Sequence, residues 1–281
     1  MEYKYKKTLS FIARFLAFVL VFSLILVSCE EEPKRNFPDN GADVAVGNNV
    51  NNGGNNSNKN NNSNNNNNNS NNSSGKKRVA ITYDDGPHNV YTVKIVDELA
   101  KYGFRATFFV VGNRVDGTEY NGTKGITYAA SKGHEIAIHA YTHQKYYSNC
   151  SDEDYENELS KTYAAIKAKV PDAKIGLMRP VGGYITTERV ESCDYAVVKW
   201  DVDSLDWDLK HDGDEGVKQI VNNVMSSVKN GSIILMHDLY ENTYLATQQI
   251  LKQLNEQGYE VVTVSELLGS PKSGVLYSRA S

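Results

Sequence analysis

Short apolar runs alternate with amphipathic helical segments from about residue 76 to 268, and this alternation limits the possible folds more than any other feature. Arg78 to Tyr83 reads as a strand, and Val90 to Tyr102 as a helix carrying Val93, Val96 and Leu99 on one face, with Gly103 as its stop. Ala106 to Val111, Glu135 to Ile138, Ile175 to Met178, Tyr195 to Trp200, Ser232 to Met236 and Val261 to Val264 read as further strands. Between them, Ser151 caps a helix with Asp152, Glu153 and Asp154 in its first turn and an apolar stripe of Tyr155, Leu159, Tyr163, Ile166 and Val170. Val217 to Val228 and Thr243 to Leu254 complete the helices. Such repeats favour a parallel sheet with right-handed crossovers. About seven or eight strand–helix units predict an α/β fold, a distorted (β/α) barrel, although a doubly wound sheet fits the same pattern. In a barrel the chemistry gathers where strands end, so polar clusters should follow the strands, and they do.

Thr82-Tyr83-Asp84-Asp85-Gly86-Pro87 follows the first strand. Of two adjacent carboxylates that point different ways, one can ligate a metal while the other acts as a base; the plainer alternative is an Asp-rich turn. His139 and His143 stand four residues apart, a spacing that lets two imidazoles share one cation if they lie on a helical turn. Two imidazoles and one carboxylate leave a metal open to water and substrate. His134, before the strand, reads as structural. Met178-Arg179-Pro180-Val181-Gly182-Gly183 offers a buried arginine to fix a carboxylate, and glycines that let an N–H approach an oxyanion. Asp203, Asp206 and Trp207 follow another strand, where a carboxylate can orient a histidine and Trp207 can wall an apolar pocket. His237, at the end of Ile233 to Met236, is suited to donate a proton.

Together the five clusters, in this order, resemble the NodB-type polysaccharide deacetylases of carbohydrate esterase family four over about residues 76 to 268. The resemblance implies that Asp84 is the catalytic base and that Asp85, His139 and His143 hold one divalent transition metal, zinc by preference, with Co2+, Ni2+ or Mn2+ as alternatives. It implies that Arg179 holds the base and that Gly182 lends an oxyanion-hole N–H. His237 matches the general acid, and Asp203, with Asp206 as second choice, the residue that tunes it. Leu235 and Trp207 match the pocket for the acetyl methyl. Tyr83 stands where Phe is commoner, Ala140 where Ser or Thr steadies the histidine loop, and Val181-Gly182 where Pro-Tyr is frequent. The implied activity is metal-dependent removal of N-acetyl groups from a cell-surface polysaccharide, peptidoglycan or another N-acetylglucosamine polymer such as chitin, with release of acetate. An O-acetyl esterase acting on xylan-type glycans would use the same residues. A catalytically inactive surface glycan-binding module is the reading from another class, and the intact metal, base and acid positions argue against it.

The remainder of the chain is not built to pack. Lys4, Lys6, Lys7 and Arg14 precede a 14-residue apolar-to-small run from Phe15 to Ser28, which suits a signal peptide and is short for a membrane span. The run ends in Leu26-Val27-Ser28-Cys29, which resembles a bacterial lipobox; an uncleaved anchor is the alternative. From Asn48 to Asn72, 18 of 25 residues are Asn, leaving nothing to bury against the entropy of ordering. The expected organisation is therefore a lipoprotein signal peptide at 1–28, a lipidated Cys29 with a disordered linker over 29–76, a catalytic domain at 77–268 and a tail at 269–281. As a flexible coil the linker reaches roughly 35–40 Å. The expected location is the outer face of a bacterial cell membrane. Cys150 and Cys193 can pair as a disulfide in an exported domain or stand as separate thiols. A net charge of −4 argues against a nucleic-acid partner, whose phosphates call for clustered Lys and Arg. A monomer is expected.

Overall fold

A computed structural model describes residues 76–118 and 121–281. The expectations for the signal peptide, for lipidation at Cys29 and for the Asn-rich segment through residue 75 fall outside the described residues. The strands are β1 (Lys77–Asp84), β2 (Thr107–Val111), β3 (Glu135–Ala140), β4 (Leu177–Met178), β5 (Ala196–Val198), β6 (Val202–Asp203), β7 (Ile233–His237), β8 (Tyr259–Val261) and β9 (Leu276–Tyr277). Between them run α1 (Tyr91–Ala100), α2 (Gly112–Asp116), α3 (Thr123–Ser131), α4 (Asp152–Lys169), α5 (Thr187–Glu191), α6 (Gly213–Ser227), α7 (Glu241–Glu256) and α8 (Val264–Leu268).

All the ladders are parallel, in the order β6-β7-β1-β2-β3-β4-β5-β9, with β8 also pairing β1. The expected distorted (β/α) barrel is therefore present; among the described residues β6 and β9 do not pair to close it. The two-residue period of the strands decides what fills it. Val79, Ile81 and Tyr83 of β1, Phe108 and Val110 of β2, and Ile136 and Ile138 of β3 belong to the large core beneath the helices. Their alternates Ala80, Phe109, Ala137, Leu177, Ala196, Val198 and Ile233 form a second, smaller core with Val264. The side chains of this inner set are mostly short, as the narrow interior of a curled sheet requires. Carried to the C-terminal ends of the strands, the inner register falls on Asp84, His139, Arg179, Asp203, Leu235 and His237.

Three local expectations change. The run Val261 to Val264 is not one strand: β8 stops at Val261, and Thr263 with Glu266 forms a capping box that starts α8. The motif Thr-x-x-Glu is the sequence signal for this. On α4 the stripe is shifted, because Thr162 and Ala165 face inward while Tyr163 is exposed. The segment 269–281 is more than a tail: β9 pairs with β5, and Arg279 bridges Ser232.

Candidate active site

The register of β1 and β7 sets Asp84 opposite His237. Asp84 is buried, and its Oδ1 accepts from Arg179 Nη1 at 2.7 Å. The Arg179 guanidinium is wholly buried and all three of its nitrogens donate: Nη1 also donates to Thr82 Oγ1 at 2.7 Å, Nε to the Val198 carbonyl at 3.2 Å and Nη2 to the Lys199 carbonyl at 3.0 Å. Its Cζ lies 4.1 Å from the Phe109 ring centre. A rigid guanidinium held this way neutralises Asp84 and leaves its other oxygen available.

Asp85 takes a left-handed φ of 69°, which turns its carboxylate away from that of Asp84. Its Oδ1 lies 3.2 Å from His139 Nε2 and 3.0 Å from His143 Nε2. These three ligand atoms lie within 4.8 Å of one another. His139 donates Nδ1–H to the Arg179 carbonyl at 2.8 Å, so its Nε2 carries a lone pair toward a carboxylate oxygen. That Asp85 oxygen is buried and accepts no hydrogen bond. Lone pairs converging on a buried carboxylate oxygen call for a cation. The two spacings also suit one, since tetrahedral zinc with bonds of about 2.1 Å has ligand–ligand edges of about 3.4 Å. The residues therefore fit a divalent transition metal.

The two histidines do not share a helical turn. His139 is the fifth residue of β3, and His143 sits in the following bend with a φ of 61°. The loop between them is tied from α4: Glu158 Oε2 accepts the N–H of Tyr141 at 2.7 Å and of Thr142 at 2.9 Å, and Oε1 accepts Thr142 Oγ1 at 2.6 Å. Glu158 thus steadies the loop in which Ala140 cannot.

His237 Nδ1 lies 2.7 Å from Asp206 Oδ1, and its backbone N–H donates to Asp206 Oδ2 at 2.7 Å. Thr243 Oγ1 donates to Asp206 Oδ2 at 2.6 Å. Burial works against the imidazolium, but the Asp206 carboxylate outweighs it, with Asp85 and Asp84 adding to the effect, and His237 is pushed up to about 10. Its Nε2 faces the Asp85 carboxylate at 3.9 Å.

Residues 71–198 match the family described as polysaccharide deacetylase. The peptidoglycan-N-acetylglucosamine deacetylase of Bacillus cereus is 38% identical over 201 residues, which cover 69% of this chain and 89% of that one. The chain belongs to the polysaccharide deacetylase family. The peptidoglycan-N-acetylmuramic acid deacetylase PdaC of Bacillus subtilis is 35% identical, over 68% of this chain and 39% of its own length. Among solved structures, a family 4 acetyl xylan esterase from Clostridium thermocellum in complex with a cobalt ion superposes with a TM-score of 0.64 at 30% identity, covering 72% of this chain and 98% of that one.

In this polysaccharide deacetylase Asp203 is not the residue bound to His237. Its Oδ1 accepts the N–H of Leu205 at 2.9 Å. The chain reverses at Leu205, whose φ is 56°, and that reversal brings Asp206 rather than Asp203 to the imidazole. Cys150 and Cys193 do not form a disulfide: both are free, and Cys150 Sγ accepts from Arg189 Nη1 at 3.3 Å. Gly182 occupies an exposed turn with a φ of 59°, where a larger side chain would be strained. Leu235 is buried one strand step before His237, and half-buried Trp207 follows Asp206 in its turn. Glu158 and Thr243 escape a sequence reading, because each sits in an ordinary amphipathic stretch and only folding brings it to its partner; Thr82 stands in the first polar cluster, but its bond to Arg179 is likewise visible only in the fold.

Proposed function

We propose that this deacetylase hydrolyses N-acetyl groups of peptidoglycan or a related N-acetylglucosamine polymer at the outer face of a bacterial membrane, with a divalent metal held by Asp85, His139 and His143. The observation that carries the reading is a salt-bridged, buried Asp84 in register with an Asp206-bound His237, beside a metal-suited trio of ligand atoms. A cation bound there supplies Lewis-acid charge for the acetamide oxygen and the attacking water. Asp84, anchored through Oδ1, takes a proton from that water with its free oxygen. The Gly182 N–H helps to stabilise the developing oxyanion. His237 is held through Nδ1, so its Nε2 gives the proton to the departing amine. Leu235 and Trp207 shelter the acetyl methyl. Acetate and a free amino sugar leave. The peptidoglycan deacetylases among its relatives support the substrate. Lipidation of Cys29 would keep a monomeric enzyme within its linker's reach of the wall.

The test is acetate release from defined glycans, with and without chelator: peptidoglycan fragments, N-acetylglucosamine oligomers and acetylated xylan. Chelator-sensitive release from the first two supports the proposal. Release from acetylated xylan alone would replace it with O-acetyl ester hydrolysis. Sugar binding without any turnover would make it a binding module.

A further inference from the structure

Two exposed tyrosines meet beside the Gly182 turn. Tyr146 is 43% exposed and Tyr184 41%, and their rings touch edge to face with centres 5.1 Å apart. The backbone fixes this meeting. Tyr147 pairs with Ile185 in a parallel bridge that joins the chain after the histidine loop to the chain after the glycine turn. Tyr147 points inward, fully buried, and its hydroxyl donates to the His139 carbonyl at 3.0 Å. Neighbouring side chains on paired extended segments point to opposite sides, so Tyr146 and Tyr184 turn outward together. Both rings lie on Gly182: a Cβ there would come within 2.9 Å of Tyr184 Cδ2 and 3.3 Å of Tyr146 Cε1. The glycine therefore admits the aromatic pair as well as the turn.

We propose that Tyr146 and Tyr184 form a sugar-stacking subsite, which binds a pyranose of the glycan chain adjacent to the sugar being deacetylated. A tyrosine ring presents a large, rigid apolar face with a polar tip, and one face of a pyranose ring is lined with C–H groups. The pair stands next to the residue assigned to the oxyanion and is linked through Tyr147 to the carbonyl of a metal-binding histidine, so a bound polymer would run over it. This inference rests on the glycan reading above.

The test uses the full-length protein and the Tyr146→Ala, Tyr184→Ala, double and Tyr184→Phe variants. Calorimetric binding of an N-acetylglucosamine tetramer is measured beside acetate release from the dimer and the tetramer. The double variant is expected to bind the tetramer about tenfold more weakly and to raise its KM by a similar factor. The loss should shrink for the dimer, and Tyr184→Phe should keep the parental affinity. Unchanged tetramer binding in the double variant overturns the subsite, as does an equal loss for both oligomer lengths. Absence of acetate release by the parent, with tetramer binding still dependent on the tyrosines, would overturn the enzymatic reading and leave the subsite standing. No tetramer binding by the parent overturns the subsite itself.

Discussion

Asp206 holds His237 at two points, through the imidazole Nδ1 and through the backbone N–H, each at 2.7 Å. The double grip fixes both the ring plane and the tautomer. Asp206→Asn is therefore expected to lower kcat by about two orders of magnitude or more, because an amide can present its N–H to Nδ1 and favour the wrong tautomer. Asp203→Asn should cost far less. Steady-state acetate release by the two variants checks this, and comparable losses would return the tuning role to Asp203.

Arg179 is expected to matter for folding as much as for turnover. Arg179→Met leaves the Asp84 carboxylate buried without its counter-ion and should cost about 3–5 kcal/mol of stability. Arg179→Lys should recover little of this, since a lysine cannot reach Asp84, Thr82 and two carbonyls at once. Urea unfolding of the three proteins gives the comparison.

Glu158 bonds the loop between the two histidines without touching either imidazole. Glu158→Gln should weaken metal binding by about 10–100-fold, the usual effect of losing a partner that orients ligands. Competition titration with a chromogenic chelator measures it. Saturating metal should restore most of the turnover; parental metal affinity in the variant would refute this role.

His134 is buried against Phe108 and accepts the Ala106 N–H through Nδ1 at 3.0 Å. Burial, with Arg105 adding to it, brings its pKa down from 6.5 to about 4. The folded state thus keeps His134 neutral while the unfolded chain takes up a proton below pH 6.5. Its stabilisation is complete above that pH and is lost as pH falls toward 4, by up to about 3 kcal/mol. Urea unfolding between pH 4 and 7 should show a steeper decline for the parent than for His134→Gln. Parallel profiles would count against the assignment.

The sequence alone determined the alternation of strand and helix, and with it a parallel α/β sheet, since a two-residue or 3.6-residue apolar period is a local property; that the sheet curls into a distorted barrel rather than a doubly wound sheet was decided by the tertiary structure. It also pointed to the candidate metal residues and to the candidate base and acid, because residues that end strands on one sheet gather at one end of it, with the split of roles between Asp84 and Asp85 implied by the family resemblance. It could not distinguish Asp203 from Asp206: that choice depends on a left-handed reversal at Leu205. The idea of a shared helical turn for His139 and His143 failed for a similar reason, as their convergence comes from a bend after β3 held by a carboxylate on α4. Nor could it foresee that residues 276–277 complete the sheet beside β5 or that Cys150 and Cys193 stay apart. These are matters of distance between segments far apart in the chain, and only the packed tertiary structure decides such distances.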